Sequence, residues 1–401
     1  MARARMPPNI EFITNHLIIT LMKRILTVLA AALLFAGAAS SQEIANFNRD
    51  QQVVSPEVTA EGITFRLAAD YATVVTLTGN WMDYSAAPIP MTKGPGGVWE
   101  VTIPLLEPEI YTYNFIVDGV AVNDPVNFKV QRDGTRFLNM VFVPGERSAV
   151  YNEAKHRGTL TTMWYDSAQL GINRRMVVYT PYGYDNPKNK KVKYPVLYLL
   201  HGGGGDEEAW TSMGRAAEIM DNLIEQGRAV PMIVVMPNGN PNQQAAPTLG
   251  IETTDINFRD PAYANAYVKS LVTEIIPFVE SHFRAINKPE SRAISGLSMG
   301  GGHTLSASQL YPSVFDYICP QSISSQDTPE IRAQLRALKK DGYKLYWFGV
   351  GKTDFLYEGA LTLDKILTEE GLPHTFFVSE GGHEWKNWRL YLQTFAPLLF
   401  K

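Results

Sequence analysis

Residues 292–305 read RAISGLSMGGGHTL, and they set Ser298 between Gly296 and Gly300, each two positions away. The residues before this serine form a short apolar run suited to a buried strand, and those after it suit a helix through about Leu310. A serine on a sharp strand-to-helix turn needs small neighbours at these two positions, because its backbone is strained and the flanking chain passes close by. The pattern alone recurs by chance in glycine-rich turns. Its strand-turn-helix setting favours a nucleophile over a plain turn residue.

Working outward, the same texture continues on both sides of this stretch. Apolar runs such as YPVLYLLHG (194–202), MIVVMPNG (232–239), KLYWFGVG (344–351) and TFFVSEGGH (375–383) alternate with amphipathic segments such as AAEIMDNLIEQG (216–227) and IRAQLRALKKDG (331–342). Strands that are apolar throughout and separated by helices imply a mostly parallel sheet covered on both faces. Upstream the pattern differs. GITFRLAAD (62–70), TVVTLTG (73–79), GVWEVTIPL (97–105), IYTYNFIVDG (110–119) and FLNMVFVPG (137–145) are short alternating runs broken by Gly, Pro and Asp. They predict a small all-β, immunoglobulin-like sandwich. The expected organisation is a leader over 1–41, the sandwich over 42–145, a linker over 146–158 and the α/β domain over 159–401.

A chain of 401 residues suits two domains, since single cores rarely grow past roughly 250 to 300 residues. With 45% hydrophobic and 19% charged residues it reads as a globular protein, neither disordered nor built of many membrane spans. A net charge of -4 gives no broad basic field, so nucleic acid is not an expected partner. From Met22, MKRILTVLAAALLFAGAASSQE has two cations, an apolar run from Ile25 to about Phe35, and small residues near Ser41. This is the layout of a secretory signal peptide, with Met22 as the expected start. The run is shorter than the roughly 20 residues of a membrane span, so no stable insertion is expected once it is removed. The single cysteine, Cys319, lies far from that site, which leaves no lipid-attachment thiol and no internal disulfide. The expected location is periplasmic or secreted.

A serine hydroxyl needs a base to take its proton, and the base needs a carboxylate to orient it. Active groups of such folds collect at the C-terminal ends of the strands. His383 follows the run TFFVS in a glycine-bearing loop at that end, whereas His374 precedes the run and His303 sits in the helix after the serine. Asp354 follows KLYWFGVG in the same way, while Asp316, Asp327, Asp341 and Asp364 fall in turns or helices. The order Ser298, Asp354, His383 is that of the α/β-hydrolase arrangement. Backbone N–H donors for an oxyanion are expected at Met299 and in HGGGG (201–205), at Gly203 or its neighbour Gly202. A phosphate loop is the competing reading of those glycines, but no Lys-Ser/Thr pair follows them. No spaced Cys/His cluster points to a metal, and the chemistry calls for no cofactor.

YLLHGGGGDEEAW, PMIVVMPNGN, AISGLSMGG, GVGKTD and GGHEWKNW together resemble the esterase-D-type α/β hydrolases of carbohydrate esterase family one, over about residues 158–401. That family includes feruloyl and acetyl xylan esterases. The resemblance implies the same triad and oxyanion donors, and a feruloylated plant cell-wall polysaccharide or oligosaccharide as partner. The front domain resembles early-set sandwiches related to family 48 carbohydrate-binding modules. This arrangement leaves an acetyl xylan esterase, an enterochelin-esterase-like hydrolase and an inactive glycan-binding protein as rival readings. Trp210, Trp385, Trp388, Phe258 and Tyr263 lie where an aromatic acyl group could pack, the last two in the long segment 239–264. Trp81 and Trp99 are the expected sugar platform of the front domain. If binding is separable, a chain starting near Val150 is expected to keep activity on small soluble esters.

Overall fold

The computed structural model describes residues 53–401, apart from residues 84, 248–250, 252–253, 255, 258–259, 261–262 and 264. The expected signal segment and Phe258 lie outside the described residues. Ser55–Lys401 forms one compact unit.

Among the described residues ten short strands build the front domain: β1 (Glu57–Val58), β2 (Ile63–Ala68), β3 (Val75–Gly79), β4 (Ile89–Pro90), β5 (Thr92–Lys93), β6 (Val98–Ile103), β7 (Ile110–Val117), β8 (Val120–Val122), β9 (Val130–Asp133) and β10 (Arg136–Phe142). One sheet runs β1-β2-β6-β5; the other runs β4-β3-β7-β10-β9, with β8 pairing β7. Strict alternation sends Ile63, Phe65 and Leu67 of β2 inward to meet Leu77, Tyr113, Phe115 and Val141 of the opposing sheet. Strand β7 departs from this rule, because its first four residues are all buried. Ile110, with Met140 and Phe142 of β10, points away from the sandwich core and packs into the larger domain's own apolar cluster. The outer face of the front sheet is therefore an internal surface of the protein.

The segment expected as a linker is packed for the same reason. Ala149–Tyr151 forms a 3-10 turn, and Val150 and Tyr151 join the cluster that holds Ile110. Two polar clamps reinforce this contact. Ser212 Oγ accepts from the Arg132 backbone N–H at 2.8 Å and donates to its carbonyl at 3.1 Å, closing the open edge of β9. The Arg132 guanidinium spans Asp206 and Glu208.

The larger domain carries β11 (Thr159–Ser167), β12 (Ile172–Thr180), β13 (Val196–Leu200), β14 (Ile233–Pro237), β15 (Arg292–Leu297), β16 (Tyr317–Gln321), β17 (Leu345–Gly351) and β18 (Thr375–Ser379), ordered β11-β12-β14-β13-β15-β16-β17-β18. The sheet is mixed. β11 and β12, and β12 and β14, pair antiparallel, and every other pairing is parallel. Its helices are α1 (Ala209–Ser212), α2 (Ala216–Glu225), α3 (Ala266–Ser270), α4 (Ile276–His282), α5 (Met299–Leu310), α6 (Pro329–Asp341), α7 (Tyr357–Glu369) and α8 (Trp385–Phe395). Residues of α3 to α7 cover one face of the sheet, and α2 and α8 cover the other. Strands β13 to β16 are consequently buried along their whole length. Among the described residues no helix is long and apolar enough to cross a membrane.

Candidate active site

Ser298 occupies the one-residue junction between β15 and α5, with φ 54° and ψ -114°. Such a conformation costs a non-glycine residue about 1–3 kcal/mol and persists only where the surroundings enforce it. The flanking glycines are part of that enforcement. A Cβ on Gly296 would stand 2.4 Å from the Gly300 carbonyl oxygen, and one on Gly300 would stand 2.5 Å from that of His201. The Ser298 N–H is tied to the Gln321 carbonyl at 2.9 Å.

His383 and Asp354 come from loops after β18 and β17, strands that lie side by side. His383 Nδ1 stands 3.0 and 3.1 Å from the two Asp354 carboxylate oxygens. This contact assigns the proton to Nδ1 and leaves Nε2 free to accept one. Burial alone would raise the Asp354 pKa, but hydrogen bonds from His383, the Leu356 backbone N–H and Ser322 outweigh it and hold the carboxylate below its usual value. Trp388 extends the chain by donating its Nε1–H to Ser322 Oγ at 3.0 Å. Its ring also stands perpendicular to His383, with centroids 5.0 Å apart.

Ser298 and His383 line one cavity of 410 Å³. Gly202, Gly203 and Gly205 line it too, as do Leu297, Met213, Trp385 and Trp388. Met299 is the first residue of α5, where a backbone N–H has no acceptor within the helix. A Cβ on Gly202 would stand 3.3 Å from Ser298 Cβ, so this glycine's backbone abuts the serine; one on Gly203 would meet nothing within 4 Å. His201 anchors the glycine run. Its Nδ1 donates to the Gly202 carbonyl at 2.8 Å and its Nε2 accepts from the Gly239 N–H at 2.7 Å. Burial lowers its pKa, which keeps the ring neutral in that bridge.

The aromatic candidates divide. Trp385 and Trp388 face the cavity, but Trp210 is only 1% exposed and donates its Nε1–H to the Leu200 carbonyl. It supports Trp385 edge-on from behind, with centroids 5.3 Å apart, and has no face left for a substrate. Neither tryptophan of the front domain forms an open platform. Trp99 is 7% exposed with its Nε1–H on the Ala69 carbonyl, and Trp81 is packed on Phe65 and Tyr111. His374 bonds Asp364 at 2.9 Å, away from the cavity, and His303 is half-buried in α5.

Two contributions were missed from the sequence. Phe355, directly after Asp354, is 76% exposed and its ring centroid lies 4.6 Å from that of His383. The front domain also supplies part of the cavity wall, through Asn80, Thr112, Gln131, Asp133, Arg136 and Leu138. An exposed apolar residue beside a candidate acid was a readable signal. A polar strand face that meets another domain looks the same in sequence as one that meets water.

A hydroxyl on a strained turn, an imidazole held by a carboxylate and backbone amides beside them are the parts needed for acyl transfer through a tetrahedral intermediate. The chain is similar to several proteins described as esterases. A model of the "Carbohydrate-binding module 48 (Isoamylase N-terminal domain)" family matches residues 52–131. An endo-1,4-beta-xylanase/feruloyl esterase of Xylanibacter ruminicola is 31% identical over 78% of this chain, which spans 41% of that relative's length. A ferulic acid esterase of the anaerobic fungus Anaeromyces mucronatus is 25% identical, with a TM-score of 0.51 over 62% of this chain and 93% of its own. The enterobactin esterase of Shigella flexneri, 16% identical, shares the fold over 90% of this chain and 99% of its own, with a TM-score of 0.62. The family model described as "Putative esterase" matches residues 167–398, more than half of the chain, and the protein belongs to that family of carboxylic ester hydrolases.

Proposed function

We propose that this protein is an exported serine esterase that releases feruloyl or related hydroxycinnamoyl groups from plant cell-wall arabinoxylan. The observation that carries this reading is one cavity that holds Ser298 and His383 against the indole walls of Trp385 and Trp388. A planar aromatic acyl group fits such walls by offset or edge-on packing. The similarity to xylan-directed and ferulic acid esterases supports the choice of ester.

In this reading Ser298 Oγ attacks the ester carbonyl while His383 Nε2 takes its proton. The Met299 N–H and the Gly202–Gly203 segment receive the oxyanion. His383 then passes the proton to the departing sugar oxygen, which leaves an acyl-enzyme and a free alcohol. Water repeats the sequence, releasing the carboxylic acid and restoring Ser298. Asp354 holds the imidazole in the productive tautomer throughout.

The deciding measurement is kcat/KM on methyl ferulate against kcat/KM on an acetylated xylo-oligosaccharide, with Ser298→Ala as the blank. A strong preference for ferulate is expected, and Ser298→Ala is expected to lose roughly 10⁵ to 10⁶ in kcat. A preference for the acetyl ester would overturn the aromatic acyl pocket and favour xylan deacetylation. Undiminished hydrolysis by Ser298→Ala would overturn the nucleophile.

A further inference from the structure

We propose that Arg132 of the front domain is a positioning residue for the oxyanion hole, holding the glycine run 202–205 in place beside Ser298 through a two-point grip on Asp206. This inference rests on the reading of that run as an oxyanion donor and adds what keeps it fixed.

A row of glycines is loose by nature, because each has no side chain to pack and loses the most conformational freedom on ordering. A Cβ on Gly203 or on Gly204 would meet nothing within 4 Å, so packing does not pin the middle of the run. One bond closes it on itself, from the Gly205 N–H to the Gly202 carbonyl at 3.2 Å. The rest of its order must come from its two ends. The first end is held by His201, which bridges the Gly202 carbonyl and the Gly239 N–H. At the second end Asn240 Nδ2 donates to the Gly205 carbonyl at 2.7 Å, and Asp206 follows.

Asp206 is 2% exposed at the side chain and is held mainly from the other domain. Its Oδ1 accepts from Arg132 Nη2 at 2.6 Å and its Oδ2 from Arg132 Nη1 at 2.7 Å. Two parallel bonds between a guanidinium and a carboxylate fix orientation as well as position, which a single contact does not. The Glu208 N–H adds a third bond to Oδ1 at 3.0 Å. Arg132 is itself immobilised. Its Nη1 donates to the Gly134 carbonyl at 2.7 Å, and its Nη2 to Glu208 Oε2 at 2.9 Å. The turn that carries Gly134 also reaches the run directly, since a Cβ on Gly134 would stand 3.2 Å from the Gly204 carbonyl oxygen.

The larger domain therefore fixes where the glycine run starts, and the front domain fixes where it ends. Gln131 and Asp133 line the cavity, while Arg132 between them turns to Asp206, so it acts on the donors and not on a substrate. Oxyanion donors work only when already aimed at the developing charge, and a displacement of about 1 Å can cost about 100-fold in rate. The grip should matter for every ester, whatever its alcohol.

The test uses the full-length protein and methyl ferulate, an ester without a sugar, so that carbohydrate contacts play no part. Arg132→Lys keeps the charge and loses the fork, and Arg132→Met keeps only the stem. The double variant Arg132→Met/Asp206→Asn leaves no unpaired carboxylate and carries the test if a single variant does not fold. We expect kcat to fall about 10-fold in Arg132→Lys and about 100-fold in Arg132→Met, with KM within about threefold of the parent's. The double variant should lose no more than Arg132→Met, because both residues act through one contact. Arg66→Met, which breaks the ion pairs of Arg66 with Glu57 and Glu100 inside the sandwich, should leave kcat unchanged. Hydrogen exchange supplies a readout apart from turnover: the amides of 201–205 should exchange about 10-fold faster in Arg132→Met, with those after β17 at the parent's rate. Folded variants with kcat within twofold of the parent's, or with a loss confined to KM or to stability, would overturn the inference. If the parent hydrolysed no ester, the esterase reading would fall; faster exchange at 201–205 would still support the grip, and unchanged exchange would overturn it.

Discussion

Glu109 and Arg389 join the two domains through a buried ion pair, and cutting it should cost the whole protein. Glu109 is 1% exposed and Arg389 2% at the side chain. Glu109 Oε1 accepts from Arg389 Nε at 3.1 Å and from the Ile110 N–H at 2.8 Å, and Oε2 accepts from the Tyr151 hydroxyl at 3.2 Å. Removing one partner of a buried pair costs about 3–5 kcal/mol, because the other charge is left without compensation. In Glu109→Ala, Arg389 keeps the Met213 and Ile110 carbonyls at 2.6 and 3.1 Å, which offsets part of that loss. The Ile110 N–H and the Tyr151 hydroxyl lose their carboxylate acceptor, which adds to it. We expect about 4 kcal/mol by equilibrium urea denaturation followed by tryptophan fluorescence. The double variant Glu109→Met/Arg389→Met should recover most of this, since well-packed apolar replacements of a buried pair are often near neutral. A single-variant loss below about 1 kcal/mol, or a double variant no more stable than Glu109→Ala, would refute the reasoning. The same contacts change the expectation for a chain starting near Val150. Such a chain strips the partner from Arg389, from Asp206 and from the apolar cluster around Ile110. It should lose activity on small esters through instability, and a stable, fully active fragment would count against this packing.

Two further outcomes follow from the site. Gly300→Ala should lower kcat by about 100-fold or more, because its Cβ must displace the His201 and Leu200 carbonyls and so move the serine, whereas Gly302→Ala, with nothing within 4 Å, should leave turnover close to the parent's; equal effects would remove the steric argument. His303 has its pKa lowered by burial from the usual 6.5 to about 4, so the unfolded chain takes up a proton before the folded one as pH falls. Stability from this group is complete above about pH 6.5 and is lost progressively towards pH 4, by at most about 3 kcal/mol; His303→Gln should flatten the measured stability-pH slope over that window, and an unchanged slope would argue that the ring is hydrated.

The catalytic candidates were legible because each is fixed by its neighbours along the chain. Ser298 lies between glycines whose missing side chains are a local steric need, and Asp354 and His383 each stand just past an apolar run that reads as a strand. Periodicity also gave β13, β14, β15, β17 and β18 of the larger domain and the β character of the domain ahead of it, but it passed over β11, β12 and β16. It did not give the two antiparallel pairings of β12, since pairing partners lie far apart in sequence and local patterning carries no direction. Nor could it separate Trp210 and Trp99, which close a core, from Trp385, which faces the cavity, because an indole packed against protein and one lining a cavity have the same sequence texture. Local sequence thus determines which residues can do chemistry and the elements that carry them. Docking of the sandwich onto the larger domain, through Ile110, Arg132 and Glu109, decides the far wall of the cavity, because that wall exists only where two distant segments exclude water from each other.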